Sequence, residues 1–130
     1  MALNRRDLIG LARAIEERRE ALASEIRRGV ARARNEPYAE VAGAVHDTGD
    51  ESLADLVADV DNAEVTRDLA ELRALAAAHA RIADGTYGVC ADCGADIPVA
   101  RLQAQFAALR CIACQERHEK TFAGGPRPTL

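Results

Sequence analysis

Four cysteines carry the clearest chemistry in the chain: Cys90 and Cys93 form one C-x2-C pair, and Cys111 and Cys114 form a second. Two residues between thiols let both sulfurs meet one ion from a tight turn, and the 17 residues between the pairs match a four-cysteine zinc site. Gly94, next after the first pair, supplies the backbone freedom such a turn needs. Four thiolates complete a tetrahedral shell and leave no position for water, so one structural zinc ion is expected, not a catalytic one. A redox pair would call for a βαβ context that is missing here. His118 follows Cys114 at a spacing that suggests a ligand, but the four sulfurs already fill the shell. His46 and His79 are scattered, His79 at the seam of two helical patterns. No nucleophile–base pair and no phosphate loop can be assembled, and an enzyme is not expected.

The second group is acidic. Between residues 35 and 66 there is no lysine or arginine, while Glu36, Glu40, Asp47, Asp50, Glu51, Asp55, Asp59, Asp61 and Glu64 all fall there. Part of this is ordinary helix chemistry: Thr48 and Glu51 fit a capping box, and acids in a first turn suit the helix dipole. Capping accounts for Asp50 and Glu51, but not for Asp47 or for so long a run of acids without a base. Net charge is +4 over residues 1–35, −9 over 36–85 and +1 over 86–130. Four thiolates around one zinc ion lower the total further. Such a chain is poorly suited to non-specific DNA binding, which neutralises phosphates, and better suited to a basic surface or a bound cation.

The elements that must position these groups are helical. Leu8, Leu11, Ile15, Leu22, Ile26 and Val30 recur at helical spacing between Asn4, a cap, and Pro37, a stop. A second pattern over residues 51–84 runs through Leu53, Leu56, Val60, Val65, Leu69, Leu72, Leu75 and Ile82, drifts in phase near Ala63 and stops at Gly85. Neither stripe can be buried alone. The pattern therefore predicts a mainly α protein: an antiparallel two-helix coiled-coil hairpin (residues 1–84, tip about 36–52), a small four-cysteine zinc-finger head with a short C-terminal helix (85–122), and a loose tail (123–130). The acidic stretch HDTGDES would then sit at the far end of a rod roughly 45–50 Å long. Tyr87, Val89, Ile97, Val99, Leu102, Phe106, Leu109 and Ile112 are expected to fill the head, packing on Leu8, Leu11 and Ile82. The opening MALNRRDLIG lacks the apolar core of a signal peptide, and no stretch is apolar enough for a membrane span. A cytosolic protein with reduced thiols is expected.

RIADGTYGVCADCGADIP, then ARL and CIACQE, resembles the DksA/TraR family of bacterial zinc-finger transcription factors over residues 81–116. The resemblance implies a monomer that regulates transcription, in settings such as the stress response, without touching DNA. It would bind RNA polymerase at the β/β′ secondary channel and insert its hairpin towards the catalytic centre. Counted back from the first cysteine, the family's Asp-x-x-Asp-x-Ala tip falls on Asp47, Asp50 and Ser52, with serine in place of alanine. The basic positions that bind the alarmone ppGpp in some members fall on Arg67, Ala74, Gln105 and Gln115, and only Arg67 keeps its charge. The family's RLEARP run reads RLQAQF here. An anionic alarmone needs several cationic donors, so ppGpp dependence is doubtful and Arg67 is at most a remnant contact. The competing reading is a zinc-stabilised coiled-coil interaction module unrelated to polymerase.

Overall fold

The computed structural model describes residues 3–44 and 50–123. These form six helices: α1 (Arg5–Arg34), α2 (Tyr38–Ala44), α3 (Asp50–Val57), α4 (Ala63–Asp84), α5 (Val99–Ala104) and α6 (Ile112–Ala123). No strand occurs among the described residues beyond an isolated Val89–Asp96 bridge. None of the helices is long and apolar enough to cross a membrane.

α1 starts where Asn4 accepts the Asp7 N–H at 2.8 Å. It stops where Asn35 turns left-handed (φ 55°) and its N–H reaches the Ala31 and Arg32 carbonyls. Pro37 then prevents any direct continuation. α4 is capped by the Asn62 side chain, which accepts from Val65 N–H, and ends at left-handed Gly85. The two long helices run antiparallel. Glu16 approaches His79, Arg18 forks onto Glu71, and Gly29 faces Val65. Ile15, Leu22 and Ile26 of α1 and Leu72 and Leu75 of α4 are buried at the seam. A Cβ built on Gly29 would stand 2.5 Å from Val65 Cγ2, so only glycine permits this approach.

The acidic half departs from expectation. The second helical pattern is not one helix: α3 and α4 are separated by turns at 58–62, where Val60 N–H bonds to the Val57 carbonyl. The connection also holds a helix, α2, where a bare turn was expected. Both segments lie alongside α1. One flank of α1 is exposed in its first half, at Ile9, Arg13, Glu16 and Glu20, yet buried in its second half, at Ala23, Arg27 and Ala31. α3 touches both α1 and α4, and α2 touches α1. Arg34 Nη2 donates to the Leu56 carbonyl at 2.9 Å, which sets the C-terminal end of α3 beside the end of α1. The Arg28 guanidinium lies 5.5 Å from the centre of the Tyr38 ring. A straight continuation of α1 would carry Tyr38 about 15 Å beyond Arg28 along the axis, so the chain has turned back. Val41 and Leu53, exposed by 2% and 0%, are the apolar anchors of this cap.

Candidate metal centre

The head is built on backbone turns. Gly94 (φ 75°) closes the first knuckle, its N–H bonded to the Cys90 carbonyl at 3.0 Å, and the Cys90 N–H bonds to the Ala95 carbonyl at 2.8 Å. Ala91 N–H reaches the Leu109 carbonyl at 2.8 Å, drawing the two knuckles together. Arg110 Nε fastens the same join through Asp92 (2.9 Å), and Arg101 Nε through the Arg110 carbonyl (2.9 Å). Tyr87, Ile97 and Leu102 are buried, and the Tyr87 hydroxyl donates to the Phe106 carbonyl at 2.7 Å. Leu3 also packs here, against Gly88, a contact with no helical period to announce it.

Three residues expected in this core are on the surface instead: Val89 (38% exposed), Leu109 (40%) and Ile112 (56%). Each is next to, or shortly before, a cysteine of the cluster. Turning the thiols inward sends these neighbours out.

The four sulfurs of Cys90, Cys93, Cys111 and Cys114 lie within 4.8 Å of one another, with Cys90 and Cys114 buried and Cys93 exposed. Burial opposes ionisation of Cys90, but the backbone N–H groups of Cys93, Cys111 and Asp92 outweigh it and bring the thiol down to about 6. For Cys114 the hydrogen bond from Arg117 Nη2 (2.9 Å) favours the thiolate, but burial and the other three thiols push it up to about 12. Thiols this close cannot all ionise beside one another, and a divalent cation resolves the conflict. The donor set fits one zinc ion, with no open position for water. Arg117, one turn after Cys114, supports the site and was missed from sequence; the i, i+3 spacing on a helix was its only signal.

A family profile described as the prokaryotic DksA/TraR C4-type zinc finger matches residues 85–120. Those residues belong to the DksA/TraR zinc-finger family. The chain is also similar to the RNA polymerase-binding transcription factor DksA of two Caulobacter vibrioides strains, NA1000 / CB15N and ATCC 19089 / CIP 103742 / CB 15. Each is 45% identical over 40 residues, which is 31% of this chain. The match spans 28% of the length of each relative. No solved structure matches.

The remaining sequence-predicted positions are dispersed. Asp47 lies outside the described residues, Asp50 opens α3, and Ser52 is half-buried in its first turn. Arg67 and Ala74 are exposed along α4, Gln105 caps α5, and Gln115 donates to Glu119 at 2.9 Å. A cleft of ≈ 390 Å³ joins the helix pair to the head, lined by Arg18, Glu71, Leu75, Ala104, Gln105, Phe106 and Ala107. Its one guanidinium is already held by Glu71, at 2.7 and 2.9 Å.

Proposed function

We propose that this chain is a bacterial transcription regulator that binds RNA polymerase directly, as the name of its Caulobacter relatives says of them, and does so without contacting DNA. The observation that carries the reading is the join: a DksA/TraR-type finger at the base of an antiparallel helix pair whose connecting segment bears acids and no lysine or arginine. In this reading the four cysteines hold one structural zinc ion, and the zinc finger with its C-terminal helix (85–122) is the head. Residues 1–84 act as a coiled-coil hairpin that enters the secondary channel between β and β′. Asp47 and Asp50 then bring two carboxylates near the polymerase's catalytic metal and basic side chains, with Ser52 beside them. Two such charges alter the local field without chemistry of their own, and promoter complexes of short lifetime respond most.

The chain acts as a monomer in the bacterial cytoplasm. Control by ppGpp is weak or absent, because the cleft at the head offers a neutralised Arg18, neutral Gln105 and apolar walls, and Arg67 alone keeps a charge.

The test is in vitro transcription from a ribosomal RNA promoter with purified polymerase, with and without ppGpp. Zinc-loaded protein is expected to change transcript yield to the same degree in both. Asp47→Asn with Asp50→Asn removes the effect while polymerase binding stays within about threefold. Equal loss of binding and effect makes the acids a docking contact instead, and an effect that needs ppGpp overturns the alarmone reading.

A further inference from the structure

Arg28, Ala31 and Arg32 share one face of α1, and the chain that turns back at Pro37 brings Tyr38 beside them. With Glu36 they line an open cleft of ≈ 530 Å³, larger than the one at the head and at the opposite end of the helix pair. The chain has two tyrosines, and they are used differently. Tyr87 is buried with its hydroxyl bonded to the Phe106 carbonyl. Tyr38 is 40% exposed, and its hydroxyl has no hydrogen-bond partner among the described residues.

The Arg28 guanidinium lies over that ring and is steadied by Glu25 at 3.1 Å, so cation and ring form one contact surface. Arg32 is exposed and has no ion pair among the described residues. A guanidinium bonded to one acid keeps donors to spare, and an unpaired one keeps all five. The cleft therefore suits an anion. Its walls, Ala31, Pro37 and the Tyr38 ring, suit an apolar or aromatic group next to that anion. A run of phosphates is disfavoured: it would meet Glu36 on the rim, and residues 36–62 hold eight acids with no lysine or arginine.

We propose that this cleft docks a short segment of a protein partner in which a carboxylate neighbours an apolar or aromatic side chain. The carboxylate is taken by Arg28 and Arg32, whose planar forks match its two oxygens. The neighbouring side chain lies against Tyr38 and Pro37. Tyrosine and arginine carry a large share of binding energy at protein interfaces, and here they stand together on one exposed surface. The docking surface does not depend on the polymerase reading; the assignment of the docked segment to polymerase does.

The test is a titration of zinc-loaded protein with a fluorescein-labelled peptide, Gly-Glu-Phe-Glu-Gly, read by fluorescence anisotropy. Saturable binding is expected, and none to the same peptide with glutamine in place of glutamate. Arg32→Gln should weaken binding about tenfold. Tyr38→Leu, which keeps an apolar wall, should weaken it about threefold. Arg13→Gln, an exposed arginine about 22 Å along the helix from Arg28, should leave it unchanged. Helical circular dichroism equal to that of the unaltered protein shows that each variant reads the contact and not the fold. Absence of saturation, or equal loss from Arg13→Gln, overturns the proposal. Tighter binding of a thymidine hexanucleotide overturns it too and gives the cleft to phosphates. Retention on immobilised core polymerase that falls with Arg32→Gln assigns the docked segment to polymerase. Peptide binding without any polymerase retention of the unaltered protein keeps the cleft and removes the polymerase reading.

Discussion

In the head, four thiols and a mesh of short backbone bonds pin each turn. At the opposite end α2 and α3 are held against the long helices by packing: Val41 and Leu53 are buried, and Ala54, Leu56 and Val57 pack partly buried on the same core. The difference shows two ways in which a small chain can hold its turns, by ligand chemistry at one end and by apolar packing at the other. A metal supplies to the head what a core of so few apolar residues cannot. α2 and α3, of seven and eight residues, are too short to persist unaided and depend on that packing. Between them the α1–α4 seam, with Ile15, Leu22, Ile26 and Leu72 fully enclosed, is the stable frame that both ends share.

Metal removal separates the two ends most sharply. Stripping zinc with a chelator, or Cys114→Ser, should cost the head much of the roughly 10–16 kcal/mol that such sites contribute, releasing Tyr87 to water. Tyrosine fluorescence should report that loss while most of the helical circular dichroism from α1 and α4 persists. Simultaneous collapse of both signals would mean that head and frame fold as one unit.

Next in size are two leucine truncations. Leu72→Ala, inside the seam, should lower stability by about 3–5 kcal/mol in urea titrations, and Leu53→Ala by about 2, because the short α3 can settle into the space left behind. Equal costs would make α3 as firmly packed as the frame. Gly29→Ala tests the close approach itself: forcing a methyl group against Val65 should cost about 1–3 kcal/mol by the same measurement.

The smallest effect concerns charge crowding on α4. Burial, and then Glu64, Glu25 and Glu71, raise the Asp68 carboxyl above its usual value, so its ionised form opposes folding. That penalty is absent below the unfolded carboxylate's titration and appears as pH rises through the folded value. Asp68→Asn should therefore stabilise the protein by a few tenths of a kcal/mol at pH 7 and by nothing at pH 3. Urea midpoints at the two pH values check the sign.

What could be read from the residues alone follows the reach of each signal. The cysteine spacing is local and chemical, and the four sulfurs do converge. Asn4 and Pro37 bound α1 because caps and prolines act within one turn. The break at 58–62 was half visible: the apolar phase drifts near Ala63, and Asn62 turns out to cap a new helix there. Leu56 and Val60 nevertheless prolonged the pattern, and it read as one helix. The folding back of α2 and α3 was hidden, since it depends on which flank of α1 is covered, and Ala23, Arg27 and Ala31 look like surface residues in a sequence. The outward turn of Val89, Leu109 and Ile112 was hidden for a related reason. Hydrophobicity says that a side chain can be buried; the neighbouring thiols decide that it is not.

Direct association with RNA polymerase is the claim on which the functional account turns. Zinc-loaded protein passed over immobilised core polymerase, with no DNA present, should be retained. The Asp47→Asn, Asp50→Asn variant should be retained equally, and chelation should release both. Passage without retention at saturating zinc would contradict the account and leave the molecule a zinc-stabilised helical module with some other partner.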